Sequence, residues 1–101
     1  GLRVLLVAAS LLAAPVALAG GTITVNTGSG GTGGPSCTLR DAVTAANTDA
    51  PVGGCSPGSG TDTILLGADV SLTVPDNGTN GLPIVTTAMT IDGQGHSVSG
   101  N

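Results

Sequence analysis

The chain has 101 residues, 18 of them Gly and none aromatic, and its formal net charge is −4. With two cationic residues in total, it lacks the basic surface that binds nucleic acid. The absence of Phe, Tyr and Trp also excludes aromatic platforms on which bases stack. Beyond residue 19 the chain is rich in Gly, Ser, Thr and Asn, which predicts a thin hydrophobic core.

Residues 1–19 have the pattern of a signal peptide. Arg3 is a short basic region, residues 4–14 form an apolar run with one Ser, and residues 17–19 read Ala-Leu-Ala, a small-x-small cleavage pattern. The run is shorter than the roughly 20 residues that a membrane-spanning helix needs. We therefore expect cleavage before Gly20, export, and a secreted or cell-surface protein, with residues 20–101 as the mature unit.

The next segments predict a strand, a loop and a helix. Residues 22–26 alternate apolar and polar side chains, as a strand does, and residues 27–36 are too rich in Gly for regular structure. A helix is expected at residues 39–47, with Thr38 as its cap and Asp41 completing a capping box. The apolar stripe of this helix consists of Leu39, Ala42, Val43 and Ala46.

Short strands separated by turns follow a second loop. They are expected at residues 63–66, 70–74, 82–85, 89–91 and 97–99. This spacing suits a β-sandwich or a β-solenoid, and the short strands with small aliphatic side chains favour the solenoid. Since the sequence stops just after a strand signal, we expect a truncated array of coils.

The segment Cys37-Thr38-Leu39-Arg40-Asp41-Ala42-Val43, followed by Ala-Ala-Asn at residues 45–47, resembles the CSLREA domain family. The departures from the Cys-Ser-Leu-Arg-Glu-Ala signature are Thr38 for Ser, Asp41 for Glu and Val43 for the usual Ile. The resemblance extends over residues 22–98. It implies a module without an established catalytic role, at the start of exported bacterial proteins that continue into right-handed parallel β-helices. The expected fold is thus mainly β, the beginning of such a helix, with the α-helix as its N-terminal cap.

The two cysteines predict a disulfide between Cys37 and Cys55. An exported chain meets an oxidising environment, and an even pair without CxxC spacing indicates a bridge. Two free buried thiols are the alternative. A structural zinc site would need His96 and an Asp as further ligands.

Two Gly-rich patterns resemble binding motifs without fulfilling them. Residues 28–33 match GxGxxG, but no helix signal follows, so we expect no dinucleotide. Residues 76–81 resemble a calcium loop, yet Gly78 and Thr87 stand where ligands belong, and a turn is expected. The sequence predicts no cofactor and no metal site.

Four aspartates and one histidine remain as candidates for chemistry. Asp92 and His96 bracket a turn and could face each other as a carboxylate–imidazole pair that acts as a base, or as two metal ligands. Asp62, Asp69, Asp76 and Asp92 each lie beside a turn, and turn capping is the favoured interpretation. We expect no catalytic residue in this part of the chain.

Arg40 is the only cation after residue 19. Either it is a solvated surface charge, or its guanidinium forks onto a carboxylate or onto loop carbonyls of an adjoining coil. We favour the anchoring role.

Two functions stay open at this point. The first is a non-catalytic N-terminal capping module of an exported bacterial β-helix protein, a surface or adhesin-like protein. The second is the cap of a secreted polysaccharide lyase or glycoside hydrolase whose active site lies beyond Asn101. The expected partners are downstream β-helix coils and extracellular polysaccharide or the cell surface, with neither nucleic acid nor a membrane span.

Overall fold

The computed structural model describes residues 20–76 and 78–100, so the predicted signal peptide lies outside the described residues. One helix and five strands occur in this part of the chain. In chain order they are β1 (Thr22–Val25), α1 (Leu39–Thr48), β2 (Asp62–Leu66), β3 (Val70–Leu72), β4 (Met89–Asp92) and β5 (Val98–Gly100).

The strands form two small parallel sheets. One sheet has the order β1-β2-β4 and the other consists of β3 and β5. The register stacks Ile23 on Ile64 and Ile64 on Ile91, so the inward side chains form a column across the first sheet. Ile23 and Ile64 are fully buried, whereas Ile91 at the end of the column is 42% exposed.

The predicted right-handed parallel β-helix is wrong for the described part of the chain, which forms a small domain of two short parallel sheets and one helix. One expected strand, residues 82–85, does not form there. Its backbone at Ile84 and its neighbour Thr86 bond the side chain of Asn47 in α1 instead of another strand. The expected strand 70–74 stops at Leu72, and two residues later the Val74 carbonyl accepts a hydrogen bond from Arg40.

Helix α1 begins and ends with recognisable caps. The Thr38 side chain accepts a hydrogen bond from Asp41 N at 3.1 Å, and Asp49 ends the helix in the left-handed region at φ 53°. The helix is one residue longer than expected. All four residues of its predicted apolar stripe are buried.

The helix packs against β1 and β2. Side chains of α1, of both sheets and of the two cysteines share one buried cluster, of which Leu39, Val43, Ile64 and Leu66 are large members. The small residues Ala42, Ala45 and Ala46 lie in the same cluster, and small side chains let a helix approach a sheet closely. The helix therefore covers the side of the first sheet formed by β1 and β2.

Candidate functional site

The disulfide joins the two ends of the segment that contains α1. Cys37 precedes the helix cap and Cys55 follows the helix, 18 residues later, with their Cα atoms 4.5 Å apart. Both residues are buried. Cys55 also exchanges two backbone hydrogen bonds with Val52, at 2.9 and 3.4 Å, which fixes the turn that carries it. The predicted pairing is confirmed, and it closes a covalent loop around the helix.

Arg40 anchors the loop between β3 and β4. Its side chain is buried, and Nε donates to the Gly81 carbonyl at 2.9 Å while Nη2 donates to the Val74 carbonyl. Nη1 lies 4.0 Å from the Asp76 carboxylate. The guanidinium thus holds two distant points of one loop, which is the anchoring role and not that of a solvated charge. The loop belongs to a connection between two sheets and not to a β-helix coil.

Asp41 is buried beside Arg40 but serves a different loop. Its Oδ2 accepts from Gly33 N at 2.8 Å. The expected capping box is therefore only half formed: Thr38 caps the Asp41 amide, while the Asp41 carboxylate bonds the Gly-rich loop. Asp is one methylene shorter than the Glu that usually reaches back to the cap.

The sequence analysis predicted no role for Asn47. Its amide group donates to the Ile84 carbonyl at 2.8 Å and accepts from Thr86 N at 2.9 Å, as a neighbouring peptide group would. Next to it, the Thr87 hydroxyl donates to the Ala46 carbonyl at 3.3 Å. The available signal was the spacing of Arg40 and Asn47 seven residues apart, which puts both on one polar face of the helix.

Asp62 ties the start of β2 to the loop before it and to the residue before β1. Its Oδ1 accepts from Ser59 N at 2.7 Å and from Gly21 N at 3.1 Å, and the residue is fully buried. Oδ2 has no hydrogen-bond partner among the described residues. A Cβ at Gly58 would lie 2.5 Å from this oxygen, so only glycine fits there. The hydrogen bonds that Oδ1 accepts agree with the turn-capping role expected for Asp62.

Asp92 and His96 do not form the pair that the sequence left open, and the favoured turn-capping interpretation holds for Asp92. The Asp92 carboxylate accepts from Gln94 N at 3.0 Å within its own turn, which is the turn-capping alternative. His96 Nδ1 instead lies 3.2 Å from Asp69 Oδ1, which also accepts from Ser97 N at 3.0 Å. The Ser97 amide first, and then the His96 side chain, lower the pKa of Asp69 below its usual value.

The two Gly-rich patterns have structural roles in the described chain. Gly28 O accepts from Ser71 N at 3.0 Å, and residues 33–36 form bends where a dinucleotide fold would have a helix. Asp76 N donates to Asn80 O at 2.7 Å and closes a turn. Within residues 20–76 and 78–100, no group of three or more His, Cys, Asp or Glu side chains could hold a metal ion.

A surface groove of about 380 Å³ lies beside Leu72, between Val74, Thr79 and Gly100. Among the described residues that line it there is no Asp and no His.

No protein-family model, curated protein or solved structure matches the chain. The resemblance of residues 37–43 to the CSLREA family therefore stays a prediction. In the part of the chain that the structure describes, no helix is long and apolar enough to cross a membrane.

Proposed function

We propose that this chain is a non-catalytic structural module of an exported bacterial surface or adhesin-like protein, with a CSLREA-like segment as its organising element. The observation that carries the proposal is the use of the polar side chains in that segment. Thr38, Arg40 and Asp41 are buried and bond backbone groups of the helix start and of two separate loops. Groups used in this way position backbone and are not presented to a substrate.

The disulfide supports the exported location. Structural disulfides persist in oxidising compartments and are rare in the reducing cytosol. The bond between Cys37 and Cys55 is buried in the core cluster, where it stabilises a domain that has few large apolar side chains. It is compatible with an oxidising extracellular environment.

Extracellular polysaccharide or the cell surface is the partner that we propose. Opposite the buried Ile column, the register aligns Thr22 with Thr63 and Thr63 with Thr90. Neighbouring strands lie about 4.8 Å apart, so this row presents hydroxyl groups at regular spacing on the outer face of the sheet. Hydroxyl groups both donate and accept hydrogen bonds, as the hydroxyl groups of a polysaccharide do.

The test is to express the whole chain in a bacterium with a periplasm, to fractionate the cells, and to incubate the recovered protein with insoluble polysaccharides. We expect the protein outside the cytoplasm, bound to at least one polysaccharide, with no release of shortened chains. A chain lacking residues 1–19 is the control for export and should stay in the cytoplasm.

A double variant, Thr22→Val with Thr90→Val, tests the hydroxyl row and should weaken binding, whereas Thr32→Val in the Gly-rich loop should not. Cytoplasmic retention of the whole chain would contradict export. Depolymerisation of the polysaccharide would contradict the non-catalytic role, and unchanged binding by the double variant would contradict the hydroxyl row.

A further inference from the structure

Residues 89–100 contain β4, the following turn and β5, and we term them the outer strand layer. Within the described chain β4 pairs with β2 alone and β5 with β3 alone. Most of its residues are exposed, including Ile91 at 42% and Val98 at 44%. Segments with little burial open locally at a low cost in free energy. The contacts that attach this layer therefore control whether it stays docked.

One cluster of polar contacts fastens the turn of the outer strand layer to the turn that precedes β3. Asp69 Oδ1 lies 3.2 Å from His96 Nδ1 and accepts from Ser97 N at 3.0 Å. In the reverse direction, Val70 N donates to the Ser97 carbonyl at 2.8 Å. We name the contact between the two side chains the Asp69–His96 clip.

Few charged groups surround this clip. From the turn before β3 the charged group is Asp69, and from the outer strand layer they are His96 and Asp92. Asp92 is engaged with Gln94 N in its own turn. Arg40, the cation on α1, binds the loop between β3 and β4. Among these groups, His96 is the one whose ring nitrogen faces the Asp69 carboxylate.

We propose that the Asp69–His96 clip is a pH-dependent fastening of the outer strand layer, which is tightest when the carboxylate is ionised and the imidazole is protonated. In that state the 3.2 Å contact is a charge-assisted hydrogen bond. When the imidazole is neutral, the ionic attraction disappears. When the pH falls far enough, the carboxyl group becomes neutral and its hydrogen bonds to both partners weaken.

The acid side of this behaviour follows from the direction of the Asp69 pKa. Because the Ser97 amide and His96 hold this pKa below its usual value, the stabilising contribution is complete above the ordinary pKa of an aspartate. It is lost as the pH falls through the lowered pKa. The clip therefore has two limits, one set by the carboxylate and one by the imidazole.

Amide hydrogen exchange of the whole chain measures the fastening directly. The Val70 amide reports the docking of the two turns, and the protection factor corrects for the effect of pH on intrinsic exchange. We expect its protection to pass through a maximum as the pH is raised from acid to alkaline and to fall roughly two- to fivefold on either side, as suits an exposed ion pair. The buried Ile64 amide in β2 serves as the internal reference for global unfolding.

Three variants separate the two limits. His96→Gln keeps an amide donor that does not titrate, so this variant should lose only the fall in Val70 protection at alkaline pH. Asp69→Asn keeps an oxygen acceptor for Ser97 N and should lose both limits. Asp92→Asn, on the same turn, is the matched control and should retain both. If Asp69→Asn shows the same pH dependence as the unmodified protein, or if Asp92→Asn abolishes it, the proposal is wrong.

Discussion

At the scale of single residues, two adjacent side chains of opposite charge are buried in one helical turn and point to different loops. Burial of a charge is costly unless its hydrogen-bonding groups are satisfied. Arg40 meets two backbone carbonyls and Asp41 meets a backbone amide, so each charge is stabilised by the chain it holds in place. Helix α1 thereby positions the loops on both of its sides.

The substitution Arg40→Lys tests the anchoring of the loop between β3 and β4. A lysine is a compact point charge and cannot fork onto the carbonyls of Val74 and Gly81 together. We expect the free energy of unfolding to fall by about 1.5–3 kcal/mol, the range for hydrogen bonds to a charged group. Urea-induced unfolding followed by circular dichroism measures the change.

Asp76→Asn is the control for this substitution. The Asp76 carboxylate is 4.0 Å from the guanidinium and partly exposed, so its loss should cost less than about 1 kcal/mol. If Lys at position 40 preserves the unfolding free energy, or if the Asp76 change costs as much, the carbonyl fork is not what holds the loop.

At the scale of the elements, α1 is the part that local sequence pattern predicts best. Its cap and its apolar stripe both depend on residues that are close in sequence, and the predicted and observed helices differ by one residue. The strand expected at residues 82–85 had an equally plausible local pattern and does not form. Its backbone bonds the side chain of Asn47 in α1. Because Asn47 is far away in the sequence, a local pattern does not reveal this contact.

The substitution Asn47→Ala tests this attachment. It removes both hydrogen bonds to the extended segment at Ile84 and Thr86 and leaves the helix with a better helix former. We expect a net loss of about 1 kcal/mol in the free energy of unfolding. The amide of Thr86 should lose its protection against hydrogen exchange selectively.

Thr48→Ala is the matched control, because the Thr48 hydroxyl bonds the Thr44 carbonyl within the helix. It should leave the Thr86 amide unaffected. Equal exchange of Thr86 in the Asn47→Ala variant and the unmodified protein would show that the segment is held by something else.

At the scale of the whole molecule, contacts between residues far apart in sequence could not be predicted from local sequence patterns. The disulfide needed only the cysteine count and the predicted export, and it is present. The sequence did not reveal the partner of His96, because Asp69 is 27 residues away, whereas the considered Asp92 is four residues away. The two turns are brought together by the pairing of β2 with β4 and of β3 with β5, which no short sequence motif encodes.

The β-helix expectation failed at the same scale. Short strands with small aliphatic side chains predict a shared core, and the described chain does place parallel strands in register. It does so in two small sheets; one expected strand is bonded to Asn47, and another ends two residues before the Val74 carbonyl that accepts a hydrogen bond from Arg40.

The double substitution Cys37→Ser with Cys55→Ser removes the covalent closure around α1. By the chain-entropy model, a loop of this length stabilises the folded state by roughly 3 kcal/mol. Small domains have a total stability of about 5–15 kcal/mol, so we expect a clear fall in the thermal midpoint. The single variant Ser56→Ala, an exposed neighbour of Cys55, is the control and should leave the midpoint unchanged.

The exported structural module that we propose is closed around its helix by the disulfide between Cys37 and Cys55. Mass spectrometry of the exported protein, alkylated under denaturing and non-reducing conditions, tests it most directly. The account predicts a protein with no alkylated cysteine and a peptide pair linked through Cys37 and Cys55. Recovery of the folded, exported protein with both cysteines alkylated would contradict it.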